Sequence, residues 1–360
     1  MIKRTPTITQ TPEAEIVAPV IGRENLSDTI ETRVNFSSPK QVKALFKRHG
    51  IDLLDTRHET LQLLDHPLAK LLIEYREAVK RYGAYGRNWL DYLHNGRIYT
   101  NWRQIGAVSG RMSSNDPAVQ TVPHLEGEPY RSCIEAPPGY KLIIADLSQI
   151  ELRIAAKIAN ETKMIEAFNK GEDLHALTAK EVMGVTEVTK HDRQLAKAVN
   201  FGLIFGMGSS KFKRYARLQY GVEMTEEEAK GYTDRYAKTY PTIKKWHRSM
   251  GNEPQTTRTL AGRWRIGVEH YSEKLNTPVQ GTGADMLKLA LALLYERRIM
   301  IPNSFPILAA HDEIVLQSPD EEAERAAEVL RTCMMEGGAW MIYPVPMGTE
   351  VKIGQTWAAK

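Results

Sequence analysis

Cysteine is scarce: only Cys133 and Cys333 occur in 360 residues. That count excludes a disulfide framework and a cysteine-based zinc site, and it suits a reducing cytoplasm. Long apolar runs are missing too. No stretch approaches the roughly 20 consecutive apolar residues of a membrane helix, so no membrane partner is expected. The opening Met1-Ile-Lys-Arg-Thr-Pro6 has no apolar core behind its charges and does not read as a signal peptide. A large net charge is also lacking. At +4 it names no partner by itself.

What is present is an ordinary globular composition, 42% hydrophobic and 26% charged, in a chain long enough for two or three packed lobes. The charge is segregated. Lys190 to Arg217 holds seven Lys/Arg against one acid, and Lys70 to Arg111 holds eight against three. Acidic residues gather instead at Glu223–Glu228 and Asp320–Glu336. Separated basic stretches attract a polyanion, and a nucleic-acid backbone is the commonest one.

Residues 1–33 carry Pro6, Pro12 and Pro19 without a helical or strand period and are expected to form an extended arm. Helical patterning begins at Ser38-Pro39, where Ser38 suits a cap, Pro39 suits the first turn, and Val42, Leu45 and Phe46 form an apolar stripe. Leu68–Tyr82 is a second, basic amphipathic helix, whereas Gly110–Pro123 is dense in loop formers. Lys141–Ala145 is a buried strand leading into Asp146, followed by a helix through Ile150, Ile154, Ala155 and Ile158. Phe305–Ala310 and Glu313–Gln317 are apolar runs separated by His311-Asp312 alone, the spacing of a β-hairpin with those two residues at its tip. Residues 160–250 are mainly helical.

Two carboxylates on adjacent strands can hold two divalent ions about 3.5–4 Å apart, the arrangement used in phosphoryl and nucleotidyl transfer. Asp146 at a strand end and Asp312 at a hairpin tip are candidates, although an aspartate there is usually a turn or cap residue. The segment from Lys190 to Gly202 strengthens them. Arg193, Lys197 and Phe201 recur every four residues, so they share one helix face. Two cations could meet phosphates and the ring could support a base. Gly202, Gly206 and Gly208 then provide either a hinge or room for close packing.

Asp146-Leu-Ser-Gln-Ile-Glu-Leu-Arg153 resembles the first palm motif of family-A DNA polymerases; Arg193–Gly206 resembles their fingers helix and His311-Asp-Glu313 their second palm motif. Ser109–Ser114 with Gln120 and Pro123, Gly171–His175, Thr259–Arg263 and Asn276–Thr282 match further motifs in the same order. The resemblance runs from about Val34 to the C-terminus. It implies an α+β right-hand polymerase with an antiparallel palm sheet, helical fingers and a reduced helical thumb. The expected divisions are 34–108 for the thumb and its connection, 109–160 and 256–360 for the palm, and 161–255 for the fingers.

At matching positions the resemblance implies roles. Asp146 and Asp312 would bind two Mg²⁺ ions, which Mn²⁺ can replace, with Glu313 as a secondary acid. Arg193, the catalytic Lys197 and His175 would meet the triphosphate, Phe201 would stack near base and sugar, and Glu151 would crowd a ribose 2′-hydroxyl. Gln149, Phe205 and Arg131 would complete the dNTP site. Arg111, Gln120, Asn276, Gln280 and His311 would contact primer–template DNA. A cytoplasmic enzyme of a bacterium or an infecting phage is expected. Its nearest rivals are a single-subunit RNA polymerase, a reverse transcriptase, or a catalytically silent DNA-binding protein.

Three departures qualify the match. Phe205 stands where many members have a tyrosine, whose phenol could tether Glu151, so Phe205→Tyr is expected to tighten discrimination against ribonucleotides. Residues 1–33 are too few for a 3′–5′ exonuclease, so proofreading is expected to be absent or to come from a partner chain. A short thumb should make DNA binding salt-sensitive and synthesis distributive unless a processivity protein joins.

Overall fold

The computed structural model describes residues 34–85, 87–123, 130–252 and 255–359. The arm expected over residues 1–33 lies outside them. The chain divides into two compact units, Met1–Arg76 and Glu77–Lys360.

In the first unit, α1 (Pro39–Arg48), α2 (His58–Gln62) and the start of α3 (Pro67–Tyr85) enclose Val42, Phe46, Leu53, Leu61, Ala69 and Leu72. Pro39 sits in the first turn, where its missing N–H costs nothing. Ser38 occupies the N-cap position, but its hydroxyl makes no capping bond, contrary to the expectation from sequence. The Arg76 guanidinium donates to the carbonyls of Phe36 and Thr56, pinning the chain that precedes α1 and the segment before α2.

Among its described residues the second unit contains ten short strands: β1 (Leu93–His94), β2 (Arg97–Ile98), β3 (Asn101–Arg103), β4 (Ser113–Asn115), β5 (Tyr140–Leu147), β6 (Thr256–Arg258), β7 (Trp264–Ile266), β8 (Phe305–Ala310), β9 (Glu313–Pro319) and β10 (Thr349–Gly354). Six of them pair as ribbons, β1 with β2, β3 with β4, and β6 with β7. The remaining four form an antiparallel sheet in the order β10-β5-β9-β8. The Gly110–Pro123 segment, expected to be loop, contains β4 and a 3₁₀ turn at Val119–Thr121. Ser and Asn on β4 carry no strand signal, and the pairing with β3 supplies the strand instead.

Alternation along β5 explains its unbroken apolar run. Ile143, Ala145 and Leu147 join the main helical core, while Leu142 and Ile144 join Val315 and Trp357 on the opposite face. Each fully buried aliphatic side chain contributes about 1.5–3 kcal/mol, so both faces hold this strand. Helices follow as α4 (Ile150–Ala159), α5 (Thr162–Asn169), α6 (Leu174–Thr178), α7 (Lys190–Ile204), α8 (Ser209–Tyr220), α9 (Glu226–Thr239), α10 (Pro241–Asn252), α11 (Tyr271–Glu296) and α12 (Ala323–Ile342). Reciprocal capping boxes start α7, from Thr189 and Asp192, and α9, from Thr225 and Glu228. Pro278 lies inside α11 and cannot donate to the Lys274 carbonyl four residues back. The Thr257 hydroxyl donates there instead, at 3.2 Å, and ties β6 to the helix.

Candidate active site

The sheet register brings the two aspartates together. Asp146, near the end of β5, is paired with Glu313 of β9 on one side and Glu350 of β10 on the other. Asp312 lies in the two-residue turn between β8 and β9, where His311 adopts a left-handed φ of 56°. Among non-glycine residues histidine is one of the few that tolerate this region. The Leu147 N–H donates to the Asp312 carbonyl at 3.1 Å, fixing the turn beside the residue that follows Asp146. Both aspartates are half-buried.

Behind them lies a buried pair. Glu313 is 3% exposed, and its Oε1 accepts from Arg131 Nη1 at 3.5 Å and from the Trp357 indole N–H. The Arg131 guanidinium sits 4.0 Å above the Trp357 ring. Arg131, expected near the nucleotide path, is thus 8% exposed; it lies in a 3₁₀ turn, and its side chain packs on Glu313 of the sheet. Burial pulls its pKa down, against the charges of Glu313 and Asp146. Trp357 carried no signal in the sequence, because only the folded chain brings it to Glu313.

On α7, Leu195, Ala196, Ala198, Val199, Leu203 and Ile204 face the core, while Arg193, Lys197 and Phe201 are half-buried on the other side. The Arg193 Nε donates to Asp173 Oδ2 at 2.6 Å. Asp173 also caps α6 by accepting from the His175 N–H at 2.9 Å. His175, expected to touch phosphate, is 3% exposed, its Nδ1 3.0 Å from the Asn200 amide nitrogen and its ring 5.8 Å from that of Phe201. Burial pushes its pKa down to about 4, with Arg193 and Lys197 adding and Asp173 opposing. It is a neutral ring packed under the cation strip. Asp173 and Asn200 were not singled out from sequence; only the position of Asp173 two residues before His175, a capping spacing, hinted at one of them.

At the start of α4, Gln149 takes a left-handed φ of 52° and its amide Oε1 is buried without a partner among the described residues. Glu151, in the first helical turn, meets Arg111 Nη2 at 3.4 Å. Burial raises the carboxyl's pKa, and the Arg111 charge opposes it. Phe205 is the C-cap of α7. The nearby glycines differ in role. A Cβ on Gly202 would lie 2.8 Å from the Phe212 ring, so close packing requires glycine there, while Gly206 has a φ of +71°.

Arg111, Gln120 and His311 line one cleft of about 210 Å³ with Met112, Ala284 and Leu287. Gln120 Nε2 donates to the Ala309 carbonyl at 2.8 Å. Asn276 and Gln280, four residues apart on α11, do not line this cleft, and the Asn276 Oδ1 is buried without a partner among the described residues. Arg263 organises the surroundings. It donates to the carbonyls of Ser109 and Gly281 at 2.8 and 3.1 Å and pairs with Asp285 at 3.1 Å.

No group of three or more acidic, histidine or cysteine side chains that could hold a metal exists among the described residues. Asp146 and Asp312 offer two half-buried carboxylates, not an all-protein cage. Mg²⁺ is commonly bound in that way, by one or two carboxylates completed by water and substrate phosphates, so the residues fit it. No described helix is long and apolar enough to cross a membrane.

The chain matches the family model of DNA polymerase family A over residues 22–359. It is 37% identical over 346 residues to DNA polymerase I of Aquifex aeolicus (strain VF5), covering 91% of this chain and 59% of that protein. To the thermostable DNA polymerase I of Thermus aquaticus it is 33% identical over 314 residues, covering 81% and 36% respectively. The chain thus spans less than two thirds of the length of either relative. Among solved structures, the POL domain of Pol1 from M. smegmatis, in complex with DNA primer-template and dNTP, matches with a TM-score of 0.80 at 28% identity, covering 92% of this chain and 62% of that one. The mixed helical and antiparallel fold expected from sequence is the fold found. The chain belongs to DNA polymerase family A.

Proposed function

We propose that this chain extends a DNA primer, joining dNTPs to its 3′-hydroxyl as a template strand directs. The observation that supports this most is the meeting of Asp146 and Asp312 at one end of the sheet, in a chain whose α7 carries Arg193, Lys197 and Phe201 on one face. The primer oxygen forms a bond to the α-phosphorus, the α–β phosphoanhydride breaks, and pyrophosphate leaves. Asp146 and Asp312 would hold two Mg²⁺ ions, with Mn²⁺ able to substitute, and this metal when bound supplies the charge that acidifies the attacking hydroxyl and steadies the leaving oxygens.

The remaining side chains bind and orient. Arg193 and Lys197 offset triphosphate charge, and the triphosphate displaces Asp173 from Arg193 as it arrives. Phe201 supports the base, and Glu151 excludes a 2′-hydroxyl. Arg111, Gln120 and His311 read the minor groove next to the primer end, and Arg111 leaves Glu151 to do so. In this reading residues 109–160 and 256–360 form the palm, 161–255 the fingers that close about Gly202–Gly208, and 34–108 a reduced thumb. Arg131 and Glu313 position the aspartate-bearing turn from behind.

Primer extension by the purified chain tests the proposal. Mg²⁺-dependent addition of the complementary dNTP alone is expected. Binding of primer–template with no incorporation in Mg²⁺ or Mn²⁺ would overturn it in favour of a silent DNA-binding protein.

A further inference from the structure

Packed with the strip of Arg193, Lys197 and Phe201 is a polar chain sealed in the core. His175 of α6 meets Asn200 of α7, whose amide nitrogen stands 3.0 Å from the ring Nδ1. The Asn200 Oδ1 lies 3.0 Å from the hydroxyl of Thr178, the last residue of α6. That hydroxyl lies 2.9 Å from the phenol of Tyr240, between α9 and α10. All four side chains are buried. The proposed chemistry uses only the first of them.

In a buried chain each proton needs an acceptor, and here that requirement fixes the direction. The Tyr240 phenol has Thr178 as its one hydrogen-bond partner among the described residues, and burial raises its pKa. It keeps its proton and donates it to the Thr178 oxygen. The Thr178 proton must then go elsewhere. Thr233 sends its own to the carbonyl four residues back, but Thr178 makes no such bond and has only the Asn200 Oδ1. That leaves the Asn200 NH₂ facing His175. An NH₂ group only donates, so Nδ1 accepts and carries no proton. With the amide turned over, Thr178 would accept from it and one of the two hydroxyl protons would be stranded, a roughly ten- to hundredfold disadvantage. The ring is neutral, because burial holds its pKa down to about 4. Its single proton therefore sits on Nε2. That nitrogen bonds to no described residue, yet it is not among their buried atoms without a partner, so it keeps an opening to the outside.

We propose that Thr178 and Asn200 hold His175 as the Nε2–H tautomer, so that a neutral imidazole offers the incoming triphosphate a hydrogen-bond donor. A phosphate oxygen accepts, and the opposite tautomer would set a lone pair against it. Thr178 and Asn200 are positioning residues that act through His175, and Tyr240 supplies the first proton of the chain. The inference rests on His175 meeting the triphosphate. It adds which ring atom does so and what fixes the proton there.

Proton–nitrogen correlation NMR of the imidazole rings in the full chain reads the tautomer near neutral pH, with His175 identified by the signals that His175→Gln removes. Nδ1 should resonate as a bare, pyridine-like nitrogen and Nε2 as an N–H. Thr178→Val removes the hydroxyl and lets the Asn200 amide turn, so both resonances should move toward their average. The KM for dNTP should then rise about two- to fivefold as the competent fraction of rings falls. Asn200→Asp replaces the donating amide with an acceptor and should place a proton on Nδ1. An Nδ1–H ring in the unaltered chain overturns the inference, even where a variant fails to fold; so does an Nε2–H ring that neither variant shifts. His175→Ala tests the reading beneath it and should raise the KM for dNTP about tenfold, the worth of one hydrogen bond to a charged group. If that KM is unchanged while the unaltered ring is Nε2–H, the triphosphate reading is the part that fails.

Discussion

Replacing Arg131 with methionine leaves the Glu313 carboxylate buried without the cation it pairs with. The two side chains are 9% and 3% exposed and 3.5 Å apart, so solvent screens little of the interaction. Breaking a buried pair from one side costs about 3–5 kcal/mol, and loss of the stacked guanidinium above Trp357 adds about 1 kcal/mol. Removing both charges, as Arg131→Met with Glu313→Leu, takes away the uncompensated anion. The remaining penalty is the Trp357 N–H without its acceptor, about 1–3 kcal/mol. The double variant should therefore be more stable than Arg131→Met alone, a coupling that additive contributions cannot give. Tryptophan fluorescence during thermal unfolding reads this out, with the single variant melting roughly 6–10 °C lower. If Arg131→Met loses under about 1 kcal/mol, or the double variant loses the sum of the two singles, the pair is not a desolvated unit and the account of the sheet's inner face is wrong.

Three further outcomes follow from the geometry. His175 titrates near 4 in the folded chain, whereas the unfolded chain takes up this proton near 6.5, so stability should fall as pH drops through that window by about 1.4 kcal/mol per pH unit. NMR titration of the ring checks the value, and His175→Gln should flatten the slope. Gly110→Ala forces a side chain onto a φ of +87° with a Cβ 2.3 Å from the Arg263 guanidinium, and should destabilise by about 1–3 kcal/mol while weakening primer binding through the adjacent Arg111. Asp173→Asn keeps the α6 cap but releases Arg193, so the KM for dNTP should fall about two- to fivefold, the worth of a half-exposed ion pair. A rise in KM would mean that Asp173 positions Arg193 instead of competing for it.

Much of the site was legible because its signals are local. The apolar run into Asp146, the two-residue gap at His311-Asp312 and the four-residue spacing of Arg193, Lys197 and Phe201 each sit within a few residues, where strand and helix periods act. What stayed hidden depends on chain crossings. Arg131 meets Glu313 across 182 positions, and Trp357 reaches the same carboxylate from near the end of the chain. His175 is expected from sequence to meet the triphosphate, yet Asn200 and Phe201 of α7 cover it. Helix α2 has five residues, too few to show a period, and β4 is a strand only because β3 lies beside it.

The central claim concerns Asp146 and Asp312, and single-turnover incorporation measured beside primer–template affinity tests it most directly. Asp146→Ala and Asp312→Ala should each lose incorporation of the complementary dNTP in Mg²⁺ while binding primer–template about as tightly as the unaltered chain. Substantial incorporation by either variant, with binding intact, would contradict the assignment of the two carboxylates.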